Sequence, residues 1–213
     1  MRAVTGVILK SLVRITLGTT LGLYMGFQSA VMGSLGHFQL VPSIEHWYYE
    51  MFMRAIDDPK VDWSQVNLGE GAGAYCTKKD MECLVRINLW VNTQIKYVSD
   101  SAQYHTPEYF AKPSETLKSR MGDCDDSAIL KYALLRLNGF TIDEVALYGV
   151  MVPIGQVFPA PNHAVTGVML NGVEYDMDIN YFLPTPFPET NLVIFDKMDE
   201  RWYKVIRYYW QIW

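Results

Sequence analysis

The sequence predicts an α+β fold, with helices in the first part of its body and an antiparallel sheet in the second. Two observations predict it. Apolar residues recur at helical spacing over 79–98 and again over 124–137, and after Gly139 the pattern changes to short strands. Two of those strands are joined by Asn171-Gly172, a strong hairpin signal. A third observation bounds the answer: 213 residues, 50% hydrophobic and 19% charged, suffice for one packed domain with an appendage.

The appendage is the N-terminus. Of the 18 basic residues, Arg2, Lys10 and Arg14 precede residue 45, whereas all 23 acids lie from Glu45 onward, so the body carries −8. Residues 15–36 contain no charge and are largely apolar. A basic flank before a run of that length predicts that 1–44 is either a cleaved signal peptide or a retained N-terminal membrane anchor. In both cases the basic flank stays inside and residues 45–213 face an oxidising compartment. The net charge of −5 excludes a nucleic-acid binder built on a broad basic face.

Within the body, residues 45–57 predict an aromatic-rich helix ended by Asp58-Pro59. Residues 60–78, with Gly69, Gly71 and Gly73, read as loop and lack the Lys-Ser/Thr of a phosphate-binding loop. Leu84, Ile87, Val91 and Ile95 place one apolar face on a helix over 79–98. Residues 99–113 read as a polar loop punctuated by Pro107 and Pro113. Ser114-Glu115 opens a short helix, Gly122 breaks it, and a second helix runs from Cys124 or Asp125 to Leu137, with Gly139 as its stop. Strands follow over 145–152, 163–170 and 173–179, and 202–213 is ambiguous between strand and helix.

Cys124 lies at the start of that second helix, in Gly122-Asp123-Cys124-Asp125-Asp126. A helix N-terminus favours thiolate over thiol, and its free amides can accept an oxyanion. The three flanking carboxylates oppose ionisation, so the helix dipole, a basic partner or a cation must offset them. Cys76 and Cys83 are near enough in sequence to bridge in an exported protein, which would leave Cys124 as the odd thiol; the alternative is that both are free.

Of His37, His46, His105 and His163, only His163 heads a predicted strand beyond the cysteine helix. A two-residue turn at Asn171-Gly172 pairs Leu170 with Val173 and therefore sets His163 opposite Asn180. Asp178 is then the diagonal neighbour of His163 on the same face, while Asp176 lies opposite Gly167, further along. Asp178 is the better residue to orient the imidazole and Asp176 the second choice. Cys124, His163 and Asp178 thus make a candidate nucleophile, base and orienting acid, in an order that suits a papain-like architecture.

These residues resemble the bacterial transglutaminase-like cysteine proteinases, a family that includes periplasmic proteases releasing large surface adhesins. The resemblance rests on Asn92-Thr93-Gln94-Ile95-Lys96-Tyr97, Asp100, Pro113-Ser114-Glu115-Thr116-Leu117, the Gly122–Asp126 segment and Ala128-Ile129-Leu130-Lys131-Tyr132, and it spans about residues 80–182. It implies a transglutaminase-core fold and a cysteine endopeptidase acting on a protein substrate through Cys124, His163 and Asp178 (or Asp176). It also implies calcium held by Asp123, Asp125 and Asp126, with Asp100 as a further candidate ligand, and a regulatory protein partner. Hard oxygen donors clustered in this way suit Ca²⁺.

The sequence departs from the family at Asp125, where Glu is usual, at Ser127, where an aromatic is usual, and around Asp178, where Leu-Asp-Asn is commoner than Tyr175-Asp176-Met177-Asp178-Ile179-Asn180. Tyr97 and Tyr104 are the candidate side-chain oxyanion donors. Two other functions are compatible with the same residues: acyl transfer to an amine, and a calcium-dependent binding module that leaves the cysteine unused.

Overall fold

A computed structural model describes residues 41–69, 73–152 and 162–205. The chain divides into two compact units, 1–46 and 47–213. The segment expected to be a signal or anchor lies outside the described residues as far as residue 40. Among the described residues no helix is long and apolar enough to cross a membrane.

Helix α1, Val41–Ile56, buries Met51, Phe52 and Ala55 and ends before Asp58-Pro59. The loop beyond it contains one short 3₁₀ turn, Trp63–Gln65. Helix α2, Met81–Gln94, starts where the Asp80 carboxylate accepts from the Cys83 amide at 3.1 Å. Cys76 and Cys83 form a disulfide, with Cα atoms 5.5 Å apart. Leu84, Ile87 and Val91 are fully buried on one face of α2.

The helix expected over 79–98 is shorter at its C-terminal end. Ile95 turns extended, and strand β1, Lys96–Tyr97, pairs in parallel with β2, Met121–Gly122. The ladder captures backbone that local periodicity alone would have continued as helix. Between these strands lie a single helical turn, α3 (Asp100–Gln103), inside the expected loop, and α4 (Pro113–Ser119). Pro113 opens α4 because its ring presets a helical φ where no amide partner is needed.

Helix α5, Cys124–Leu137, is the centre of the molecule. Ala128, Ile129, Leu130, Leu134 and Leu135 are buried, and it packs on α2, α4 and the sheet. Each such aliphatic side chain contributes about 1.5–3 kcal/mol of burial. Phe52 of α1 meets the Tyr132 ring edge-on, centroids 5.3 Å apart. After α5, Gly139 takes φ 80°, the left-handed position that ends a helix.

The sheet has six strands in the order β6-β5-β4-β3-β7-β8, each neighbouring pair antiparallel. They are β3 (Val145–Met151), β4 (His163–Leu170), β5 (Val173–Met177), β6 (Thr185–Pro186), β7 (Val193–Asp199) and β8 (Trp202–Val205). The β4–β5 register places Leu170 opposite Val173 and Gly167 opposite Asp176, as the two-residue turn requires. Strand β5 ends at Met177, two residues before the expected limit, so Asp178 and Ile179 lie beyond the ladder. The ambiguous tail begins as strand β8, and 206–213 lie outside the described residues.

Candidate active site

Asp123 is the N-cap of α5 in an extended conformation, and its side chain makes no capping bond. Gly122, just before it, is fixed by close approach: a Cβ there would stand 2.6 Å from the Asp126 Cβ. Cys124, the first residue of α5, is the free cysteine of the described chain. Its Sγ accepts from the Ala164 amide and lies 3.9 Å from Asp125 Oδ1. Burial pushes this thiol well above its usual range; Asp125, Asp123 and Glu108 push it further, and the Ala164 amide offsets only part.

His163 precedes Ala164 at the head of β4. Its Nε2 lies 2.9 Å from Asp178 Oδ1, with side chains 9% and 2% exposed, so the contact is nearly dry. The same oxygen accepts from the Asn180 amide at 2.9 Å and from Asn180 Nδ2 at 3.0 Å. Burial raises the Asp178 carboxyl, but the hydrogen bond and charge of His163, the Asn180 amide and Lys131 outweigh it and hold the group below its usual range. With Asp178 ionised, the imidazole proton sits on Nε2 and Nδ1 is left for another partner. From α2, Asn92 Nδ2 donates to the Asp178 carbonyl at 2.9 Å and fixes the residue from its backbone side.

The cavity at this point is lined by Asn92, Ile95, Tyr97, Ser127, His163, Ile179 and Asn180. Ser127 stands where the family carries an aromatic. Tyr97 is exposed at the cavity; Tyr104 instead packs at a tilt against Tyr109, centroids 4.4 Å apart, and accepts from Gln103. Asp176 is fully buried on β5 and makes no bond to His163.

Beside the cysteine lies an acidic pocket. Asp123, Asp125 and Asp126 are joined there by Asp100 of α3 and by Glu108 from the loop after it. Asp100 with Glu108 and Asp125, and Asp100 with Asp123 and Asp126, each present carboxylate oxygens within 4.8 Å of one another. Backbone amides satisfy some: Tyr109 to Asp100 at 2.6 Å and Ala111 to Asp126 at 2.7 Å. Asp100 Oδ1, Asp123 Oδ1, Asp125 Oδ2 and Asp126 Oδ2 remain buried with no partner among the described residues.

Burial, then mutual repulsion, raises Asp100 to about 6, Glu108 to about 7 and Asp126 to about 8, and raises Asp125 as well. Orphaned hard oxygens crowded in this way fit a divalent cation of the calcium type. Glu108 was not legible in the sequence, since it sits in a loop with no periodicity, eight residues after Asp100. Asn92 and Lys131 were visible only as members of the segments that carry the resemblance; as polar residues within helices they gave no sign of their contacts.

The sequence profile described as "Bacterial transglutaminase-like cysteine proteinase BTLCP" matches residues 62–180. None of the curated proteins compared with the chain matches it. Among solved structures, Legionella pneumophila LapG is similar at 20% identity, with a TM-score of 0.50 over 61% of this chain and 71% of that one. An EGTA-treated form of LapG gives the same TM-score and identity, covering 61% and 69%. Its calcium-bound form matches at 20% identity and TM-score 0.47, covering 58% and 67%. At such identity the likeness speaks to the fold, a transglutaminase-like core of helices on a curled antiparallel sheet. The profile spans more than half of the chain, including the cysteine helix and the hairpin, and on that ground the chain belongs to the bacterial transglutaminase-like cysteine proteinases and is a cysteine peptidase.

Proposed function

We propose that Cys124, His163 and Asp178 are the catalytic triad of an exported endopeptidase that cuts a protein substrate at the cell surface, of the large-adhesin class. The observation that carries the triad is the buried His163–Asp178 hydrogen bond, one residue from the amide that contacts the cysteine sulfur. His163 Nδ1 takes the thiol proton, and the sulfur attacks the scissile carbonyl carbon. As the C–S bond forms, negative charge moves to the carbonyl oxygen, where free amides at the start of α5 can receive it. The imidazolium then gives its proton to the leaving amine as the C–N bond breaks. Water, losing a proton to the same ring, attacks the thioester and releases the acid and the thiol. Asp178 keeps the ring oriented throughout.

Asp123, Asp125 and Asp126, with Asp100 and Glu108, would hold Ca²⁺. The bound ion supplies positive charge against the carboxylate field that otherwise disfavours the thiolate. The Legionella protein's calcium-bound and EGTA-treated forms support this reading for the present chain. Residues 1–44 direct export, as signal peptide or as anchor, and 45–213 form the peptidase facing the periplasm, where a regulatory protein partner would meet it.

The test is mass spectrometry of the host's surface proteins with wild-type chain and with Cys124→Ala. Loss of specific truncated surface proteins in the variant is expected. Identical surface profiles would overturn the assignment.

A further inference from the structure

Lys131 is fully buried in the middle of α5, and its Nζ makes one hydrogen bond among the described residues, to the Met177 carbonyl at 2.8 Å. A buried ammonium is costly and packs no better than methionine, so its position invites a reason beyond volume. Met177 is the last residue of β5 and separates Asp176 from Asp178. The charged groups acting on Asp178 are His163 from β4, Lys131 from α5 and its strand neighbour Asp176; those acting on Lys131 are Asp178 and Asp176. The end of β5 is therefore held from two sides, by Lys131 on the Met177 carbonyl and by Asn92 on the Asp178 carbonyl.

We infer that Lys131 is a positioning residue for the His163–Asp178 pair: it fixes the end of β5 through the Met177 carbonyl and sets a positive charge near the Asp178 carboxylate. Burial lowers the ammonium itself to about 7, against the attraction of Asp178 and Asp176. It is therefore charged over the acidic range in which Asp178 takes up a proton. The inference rests on the triad reading and adds a fourth side chain to it, one that touches neither substrate nor sulfur.

Three variants test it: Asp178→Asn, Lys131→Met and the double Lys131→Met/Asp176→Asn, which also removes the second buried carboxyl beside Lys131. The His163 ring resonances are followed by NMR against pH in each folded protein, with the Asp178→Asn spectrum identifying the step due to Asp178. Both Lys131 variants should move that step up, because Lys131 favours the Asp178 carboxylate. On the surface protein whose release depends on Cys124, both should lower kcat about 10- to 100-fold with KM little changed. The double variant should not regain kcat. A wild-type Asp178 step in folded Lys131→Met, or recovery of kcat in the double variant, would overturn the positioning role. Wild-type turnover in Asp178→Asn would instead remove the triad reading itself.

Discussion

Asp178 Oδ1 lies 2.9 Å from His163 Nε2 although the two residues are not a ladder pair. The last β4–β5 pair is Thr166 with Met177, so the contact is made across the open end of the hairpin. Its strength comes from burial and from the Asn180 donors that share the same oxygen. Asp178→Asn keeps the shape and removes the charge that orients the ring. Turnover should fall about 100-fold or more, with the fold retained by circular dichroism. Wild-type turnover would exclude Asp178 from the triad.

Cys124→Ala should abolish turnover while changing stability by about 1 kcal/mol or less, because the side chain is only partly buried. Denaturant unfolding alongside the activity assay checks both halves of the statement.

Calcium should stabilise the folded chain. At a hundredfold excess over its dissociation constant a ligand specific for the native state contributes about 2.7 kcal/mol. A rise in Tm on adding Ca²⁺, reversed by EGTA and absent in Asp126→Asn, is the expected result. A melting curve indifferent to both reagents would remove the metal from the account. Glu108→Gln should weaken the same response, which would tie the loop before α4 to the ion.

The Cys76–Cys83 bridge closes a short loop against the first turn of α2. Cys83→Ser should cost about 2–3 kcal/mol through the unfolded chain and leave kcat near the wild-type value. Chemical denaturation with and without reductant measures the cost in the native protein.

Asp176 gives a pH signature of its own. Burial, then Asp178, raises it to about 8 against the attraction of Lys131. The folded chain therefore binds a proton that the unfolded chain has released between about pH 4 and 8, and stability falls with rising pH across that window by about 1.4 kcal/mol per unit from this group. Asp176→Asn should flatten the decline. Equal slopes in wild type and variant would show that Asp176 is ionised in the fold. Asp178 has the opposite sign: its lowered value adds stability above the usual carboxylate range, and that stability is lost as pH falls through its folded value.

The hairpin was legible because its turn is a local rule. Asn171 at φ 52° and Gly172 at φ 81° both occupy the left-handed region that a two-residue turn demands, and that turn fixes every pair above it. Helix α5 was legible because its apolar face lies within its own residues and its glycine stop just beyond them. Strands β6 and β7 and the β1–β2 ladder were not, since their partners are distant in the chain and nothing in their own residues specifies the pairing. Lys131 was hidden for a related reason: a lysine in an amphipathic helix is normally solvated, and only the sheet packed over α5 makes this one buried.

The two-residue ladder of β1 with β2 joins the chain just before Asp100 to the chain just before Asp123, through bonds from the Lys96 amide to Arg120 and from the Val98 amide to Gly122. The acid-bearing segments on either side of the pocket thus share one seam. An ion drawing those segments together would tighten the seam as well, so slowed amide exchange on loading should spread from the acid-rich turn to Lys96 and Val98, residues that offer the ion no oxygen from their side chains.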